Sequence, residues 1–304
     1  MINCKITKFS QPILIISGAT ACGKSQLAFN LAKKFNGVIV NADSMQLYHD
    51  LKILSAQPSQ SDSEMIEHRL YGCLDYQQNS SVAWWLENVK DHCQKIWQNQ
   101  QLPIITGGTG FYLQALIEGI SKIPEIPNEI RLQAKEILQQ IGFEQFKKTY
   151  GEEKIIDQQR LLRSCEVMLA TNKPISYWQK QAKQKIFEDA NFLHLNLTLD
   201  RKEIYRNCNH RFLQMLECGA IKEVENLLQQ PIDLSMSITK TIGFLNIKDY
   251  LQDQLDYQSM ILKTQQQTRN YAKRQLTWFR HQFQNLAIVN NLQQAITIVE
   301  NNWF

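Results

Sequence analysis

The stretch Pro12-Ile13-Leu14-Ile15-Ile16-Ser17-Gly18-Ala19-Thr20-Ala21-Cys22-Gly23-Lys24-Ser25 decides the fold. From Gly18 it matches the phosphate-loop pattern G-x-x-x-x-G-K-S/T in full. The apolar residues before it predict a buried strand, and Leu27, Ala28, Leu31 and Ala32 after it predict a helix. In that setting Gly18, Ala19, Thr20, Ala21, Cys22 and Gly23 turn backbone N–H groups toward an anion, and the helix N-terminus adds partial positive charge. Lys24 would reach the distal phosphates, and the Ser25 hydroxyl would sit on a magnesium ion. The motif alone leaves open whether the phosphate is transferred, hydrolysed or expelled.

Working outward, residues 37–40 read as a second buried strand ending in Asn41-Ala42-Asp43-Ser44. Residues 102–106 read as a third, ending in Gly107-Gly108-Thr109-Gly110 before a helix over 111–116. Between them, Val82, Trp85, Leu86, Val89 and Ile96 give a helical stripe over 80–98. Strands alternating with helices predict a parallel α/β sheet with helices on both faces. Ligands then bind beyond the carboxyl ends of the strands, where all three loops lie. After Gly119 the pattern changes. Residues 128–187 show helical spacing and no convincing strand, which predicts an all-helical subdomain over 120–189 inserted into a core of 1–119 and 190–304. Residues 192–197 read as a return to the sheet, and the chain from Arg201 reads as mostly helical.

Composition sets the class. The chain has 304 residues, 43% hydrophobic and 20% charged, as in a globular protein with a sizeable core. Its apolar runs are too short to span a membrane, and no signal-peptide pattern opens it, so a cytoplasmic protein with no membrane partner is expected. Seven cysteines without a C-x-x-C pair argue against a zinc site or disulfide framework. A net charge of +4 permits a nucleic-acid partner without requiring one. The chain lacks the aspartate-rich motif of all-helical prenyl synthases and the apolar run ending in Asp of motor ATPases.

Several residues invite chemistry. Asp43 follows the second strand and reads equally as a general base, as a binder of an acceptor, or as a helix N-cap. Arg160 and Arg163 share a helix face and read as a phosphate clamp or as a solvated surface. Arg211 could close over a pyrophosphate. His68, His194 and His210 lack metal-ligand spacing and read as structural. The segment 268–280 mixes Arg269, Lys273, Arg274 and Arg280 with Tyr271, Trp278 and Phe279, a composition suited to phosphates and splayed bases.

The ordered set Gly18 to Ser25, Asp43-Ser44-Met45-Gln46-Leu47-Tyr48, Gly107 to Tyr112, Asp157 to Arg163 with Glu166-Val167, Ile242-Gly243-Phe244, and Ala272 to Trp278 resembles the tRNA dimethylallyltransferases over nearly the whole chain. The resemblance implies a P-loop NTPase-like sheet with a tRNA-binding helical insert. It also implies transfer of a dimethylallyl group from dimethylallyl diphosphate to N6 of adenosine 37, in the anticodon stem-loop of tRNAs reading codons that begin with U. The loop 18–25 would then hold the donor's diphosphate with Mg²⁺, and Asp43, Lys24, Thr109 and Arg211 would form the catalytic set. The resemblance further implies tRNA contacts at Asp43, Ser44, Met45, Gln46, Thr109, Arg131, Gln159, Arg160, Leu161, Leu162, Arg163, Lys240, Gly243, Phe244, Arg269, Lys273 and Arg274. A monomer is the expectation. Four positions depart from the family's usual pattern: Ala19 for Pro, Leu54 for Gly, Gln57 for Lys and Asn207 for Arg. The other readings are an adenylate isopentenyltransferase acting on free nucleotide, and a small-molecule kinase of the same loop class.

Overall fold

The computed structural model describes residues 11–151 and 158–303, so Asp157 of one motif above lies outside the described residues. The strands are β1 (Pro12–Ser17), β2 (Gly37–Asn41), β3 (His68–Arg69), β4 (Leu102–Thr106), β5 (Ile120–Ser121), β6 (Lys183–Gln184), β7 (Asn191–Leu197) and β8 (Ala287–Val289). The helices are α1 (Lys24–Phe35), α2 (Gln60–Met65), α3 (Val82–Gln98), α4 (Gly110–Glu118), α5 (Asn128–Tyr150), α6 (Gln158–Thr171), α7 (Ile175–Gln179), α8 (Arg201–Glu217), α9 (Ala220–Leu228), α10 (Phe244–Leu251), α11 (Tyr257–Gln282) and α12 (Leu292–Trp303). Two compact units result, Met1–Ile117 with Ile186–Phe304, and Glu118–Lys185.

The first unit holds a six-stranded sheet of order β3-β2-β4-β1-β7-β8, with every pairing parallel. A parallel sheet is covered on both faces, so its inner strands read as unbroken apolar runs rather than alternating ones. That is why β1, β2 and β4 are buried at every position. Helix α1 covers them through Leu27, Ala28, Leu31, Ala32 and Phe35, and stops at Asn36, a left-handed cap whose N–H donates to the Ala32 carbonyl. Helix α3 starts at Ser81, whose hydroxyl accepts from Trp84 N–H, and buries Trp85, Leu86, Val89, Cys93 and Ile96. The Trp85 indole donates to the Asn41 carbonyl at 2.8 Å and its ring stacks on Tyr112. Strands β3 and β8, of two and three residues, were not expected from sequence. Neither is long enough to show a period.

In the second unit α5 packs on α6 through Ala134, Phe146, Leu161 and Cys165. Gly142 breaks α5 with φ 73° and ψ 163°. The expectation that this region has no strand needs correction. Residues of β5 and β6 pair antiparallel, Ile120 with Gln184 and Ser121 with Lys183, and Lys183 forms a 2.6 Å ion pair with Glu118. Leu161 is also corrected as an RNA-contacting side chain, being 1% exposed in this unit's core.

His194 is structural, as its isolation suggested. On β7 its Nε2 lies 2.8 Å from the buried Ser17 hydroxyl, and Phe283 sits edge-on to its ring. Burial lowers its pKa to about 4 from 6.5. The unfolded chain therefore protonates first as pH falls. Stability from this residue is complete above pH 6.5, drops as pH falls toward 4 and levels off below that. The loss amounts to about 3 kcal/mol over that window. Urea unfolding between pH 7 and 4.5 should show this slope, and His194→Gln should flatten it.

Candidate active site

Strands β2, β4 and β1 are consecutive neighbours, so their carboxyl ends deliver three loops side by side. The loop after β1 is shaped by left-handed backbone at Ala21 (φ 62°) and Gly23 (φ 95°). Gly23 caps α1 without any side-chain hydrogen bond, and no acidic residue lies in the first turn. The first-turn N–H groups and helix dipole are thus left to an external anion. Lys24 Nζ donates to the Ala19 carbonyl at 2.7 Å, and Ser25 is exposed on that first turn.

Beyond β2, Asn41 brackets Asp43. Its Oδ1 accepts from Asp43 N–H at 2.7 Å, and its Nδ2 donates to the Asp43 and Leu70 carbonyls at 2.9 Å each. Asp43 Oδ1 accepts from Met45 N–H at 3.0 Å and closes a local turn, but the N-cap of the short helical turn that follows is Ser44, so Asp43 is not a helix N-cap. An ionised carboxylate offers about four acceptor sites, which leaves capacity for a substrate proton. Burial raises the Asp43 pKa above 3.8, opposed by the Met45 amide and by the charges of Lys24 and Arg211. The loop after β4 locks onto this turn. Thr109 Oγ1 accepts from Ser44 N–H at 3.0 Å, and Thr109 N–H donates to the Ala42 carbonyl at 3.1 Å. A Cβ on Gly107 would lie 2.2 Å from the Ala42 carbonyl carbon and oxygen, so only glycine permits this approach.

Helices α8 and α11 supply the facing wall. Arg211 Nη2 donates to the Thr20 hydroxyl. Burial lowers the Arg211 pKa, partly offset by Cys208 and Asp43. One turn earlier, Asn207 Nδ2 donates to the Ala21 carbonyl at 3.3 Å, so this departure from the family pattern still serves the phosphate loop. Gln275 Oε1 accepts from Thr20 N–H at 2.7 Å while its Nε2 donates to the Gly108 carbonyl at 2.9 Å. Sequence reasoning missed Gln275 as a site residue. The buried face of α11 also carries Thr264, Gln265 and Thr268, so the polarity of Gln275 alone gave no distinguishing signal. Tyr271, one of the aromatics singled out in segment 268–280, lines the pocket, and burial with the nearby Asp43 charge keeps its phenol protonated.

These parts enclose a pocket of about 340 Å³. Thr20, Asp43, Ser44, Arg211 and Lys240 give it polar lining, and Leu54, Phe212, Met215 and Ile242 give it apolar lining. Glu223 holds the Leu54 segment by accepting from Ile53 and Leu54 N–H at 2.8 and 2.9 Å. Gln57, the other nearby departure, donates to the Tyr48 carbonyl at 2.6 Å and so serves this segment's folding.

Some expected RNA-contacting side chains have other work. Gln46 donates to the Ser55 and Ala56 carbonyls. Phe244 is 0% exposed, a correction to its place in that set. Gly243 takes φ 99° where a Cβ would crowd Leu54 and Thr264 at 3.1 Å. Arg269 bonds Asn209 at 2.6 Å, joining α11 to α8. Met45 Sδ accepts from the Thr241 hydroxyl at 3.4 Å. Lys273 and Arg274 are exposed. In the second unit Arg131 is exposed on α5, Gln159 and Arg160 lie on α6, Leu162 packs beside the core, and Arg163 pairs with Glu166 at 3.1 Å.

Among the described residues no group of three His, Cys, Asp or Glu side chains could hold a metal. The exposed Ser25 hydroxyl at the start of α1 is one hard oxygen donor, of the kind Mg²⁺ accepts beside water and phosphate oxygens.

A family model described as IPP transferase matches residues 46–282, and one described as isopentenyl transferase matches residues 11–78. The chain is 37% identical over 299 residues to a tRNA dimethylallyltransferase of Ehrlichia chaffeensis, covering 96% of this chain and 98% of that protein. It is 38% identical over 275 residues to one of Zymomonas mobilis, covering 89% and 88%. A crystal structure of tRNA delta(2)-isopentenylpyrophosphate transferase from Staphylococcus epidermidis superposes with TM-score 0.68 at 27% identity, over 95% of this chain and 97% of that one. A eukaryotic dimethylallyltransferase solved acting on tRNA gives TM-score 0.72 at 26% identity, over 96% of this chain and 77% of that one.

Proposed function

Because this chain belongs to the IPP transferase family, we propose that it transfers the dimethylallyl group of dimethylallyl diphosphate to N6 of adenosine 37 in tRNA. The observation that carries this reading is one pocket that Asp43, Thr20 and Arg211 share with the apolar side chains Leu54, Phe212, Met215 and Ile242. A kinase needs the first half of that arrangement. A carbon transferase needs both, because its donor has a charged end and a greasy end.

The chemistry follows from the residues. An adenine N6 amine is a poor nucleophile because its lone pair is delocalised into the ring. As the C–N bond forms, Asp43 accepts the amine proton, and its raised pKa makes it a better base than an exposed aspartate. On the donor, the allylic C–O bond breaks and the diphosphate leaves with the bonding pair. Lys24, Arg211 and the amides of loop 18–25 are aimed at that departing charge, where fixed dipoles help most. The Ser25 hydroxyl would help hold a magnesium ion, which would supply further neutralisation of that charge. Leu54, Phe212 and Met215 keep water from the allylic carbon, which would otherwise be hydrolysed. Thr109 holds the Ser44 amide and so the turn that carries the base.

The exposed Lys273 and Arg274 of α11, with Lys240, suit an RNA backbone. The target base must leave its stack to enter such a pocket. In this reading the helical insert makes tRNA contacts of its own through Arg131, Arg160 and Arg163. A tRNA acceptor implies a cytoplasmic enzyme, and a pocket complete within one chain suits a monomer. The free-nucleotide alternative is disfavoured by the exposed cations of α11 and by the helical insert, which suit a large RNA partner.

Incubating the purified protein with dimethylallyl diphosphate, Mg²⁺ and unmodified tRNA should yield N6-(dimethylallyl)adenosine by nucleoside mass spectrometry. AMP added in excess should not compete. Product on AMP alone would favour the free-nucleotide reading, and no product on any tRNA carrying A36-A37-A38 would reject prenyl transfer.

A further inference from the structure

We propose that Gln275 is the positioning residue that sets the diphosphate-binding loop and ties it to the loop supporting the base. The inference rests on the reading that loop 18–25 takes the donor's diphosphate. An amide side chain on the buried stripe of a helix is costly unless both its ends are paired. Gln275 is 5% exposed between Ala272 at 0% and Phe279 at 1%. Both ends are paired, and each to a different functional loop. Its oxygen fixes the Thr20 amide. The Thr20 hydroxyl in turn receives Arg211, so a single residue is gripped from α11 through its backbone and from α8 through its side chain. Its nitrogen fixes the Gly108 carbonyl, next to the Thr109 that holds the Asp43–Ser44 turn.

Gly108 shows how tight the fit is. Its backbone is not left-handed, so chain geometry does not require glycine there. A Cβ at that position would stand 2.2 Å from Gln275 Nε2, and 3.6 Å from Asp43 Oδ2, an ordinary contact. The missing side chain answers to Gln275. The Thr20 amide is thus committed to the protein rather than to the ligand, as the Cys22 amide is to the Ala19 carbonyl at 3.4 Å. Gln275 thereby orients the remaining loop amides toward the diphosphate.

The test uses the full chain and binding of inorganic diphosphate with Mg²⁺ by calorimetry, alongside steady-state kinetics and thermal melting. Losing a buried hydrogen-bond pair of this kind is expected to weaken diphosphate about 10-fold for Gln275→Ala. KM for the donor should rise by a similar factor while kcat stays within about 3-fold. Gln275→Glu keeps the acceptor for Thr20 N–H but sets a carboxylate against the Gly108 carbonyl and near the diphosphate, so its loss should exceed that of alanine. Gly108→Ala should reproduce the Gln275→Ala defect from the opposite side. In the double variant the added methyl finds the space emptied, so the second substitution should cost less than about 2-fold more. A lowered melting temperature with unchanged diphosphate affinity would make Gln275 merely structural and overturn the proposal. So would multiplicative losses in the double variant. The outcomes separate from the function itself. If wild type binds diphosphate and Gln275→Ala does not, yet no tRNA is prenylated, the proposed function fails while the strut stands.

Discussion

Asp43→Ala is expected to lower kcat by about 10²–10⁴-fold, the usual range for a general base, while inorganic diphosphate still binds. Alanine also removes the acceptor for Met45 N–H, so a damaged turn could imitate a lost base. Asp43→Asn separates the two. Its Oδ1 still accepts from Met45, but the group takes no proton. The asparagine variant should therefore be as slow as the alanine one while melting close to wild type. Recovery of most of the activity by Asn would reject Asp43 as the base. The pH profile supplies a second reading. Burial raises the Asp43 pKa, so the basic form is lost at a higher pH than for an exposed aspartate. In wild type kcat/KM should fall as pH drops through that raised value. The residual activity of Asp43→Asn should lack this limb.

Lys24→Ala is expected to cut kcat/KM for the donor by about 10²–10³-fold, as loss of one preorganised donor to a developing anion does. In the structure Lys24 Nζ rests on the Ala19 carbonyl, within its own loop. That bond can be exchanged for a phosphate oxygen without moving the helix. The charge on the departing diphosphate grows as the C–O bond breaks, so the defect should fall on kcat as well as on donor affinity. Diphosphate calorimetry and single-turnover rates read the two separately. A total loss below 10-fold would show that Arg211 and the loop amides suffice without the lysine.

How much of this could be read from sequence depends on whether the physics is local. The loop Gly18 to Ser25 carries its own geometry, since glycines, lysine and a following helix act within eight residues. The buried strands β1, β2 and β4 declare themselves as apolar runs ending in polar turns. Asp43 was placed at the carboxyl edge of the sheet, but its readings as a base, an acceptor binder and a helix cap could not be separated. The structure shows that one oxygen caps a turn while Lys24 and Arg211 act on the same group. Partners far along the chain were not legible. Glu223 supports the Leu54 segment and Asn207 reaches the Ala21 carbonyl across gaps that no period encodes. Motif membership also misled about individual side chains. Leu161 and Phe244 sit inside family motifs because the motif's helix must pack, and their side chains do that packing. The short strands β3, β5, β6 and β8 fall below the length at which strand patterns emerge.

The bond from Thr20 N–H to Gln275 spans 255 residues. Domains form during synthesis at about 5–20 residues per second, so roughly ten to fifty seconds separate the making of its two ends. A nascent chain carries the phosphate motif through that interval without the helix that steadies it. The order of translation thus favours assembling the donor pocket only after α11 has been made, and a ribosome stalled before residue 275 leaves a fragment poorly equipped to hold a reactive allylic diphosphate.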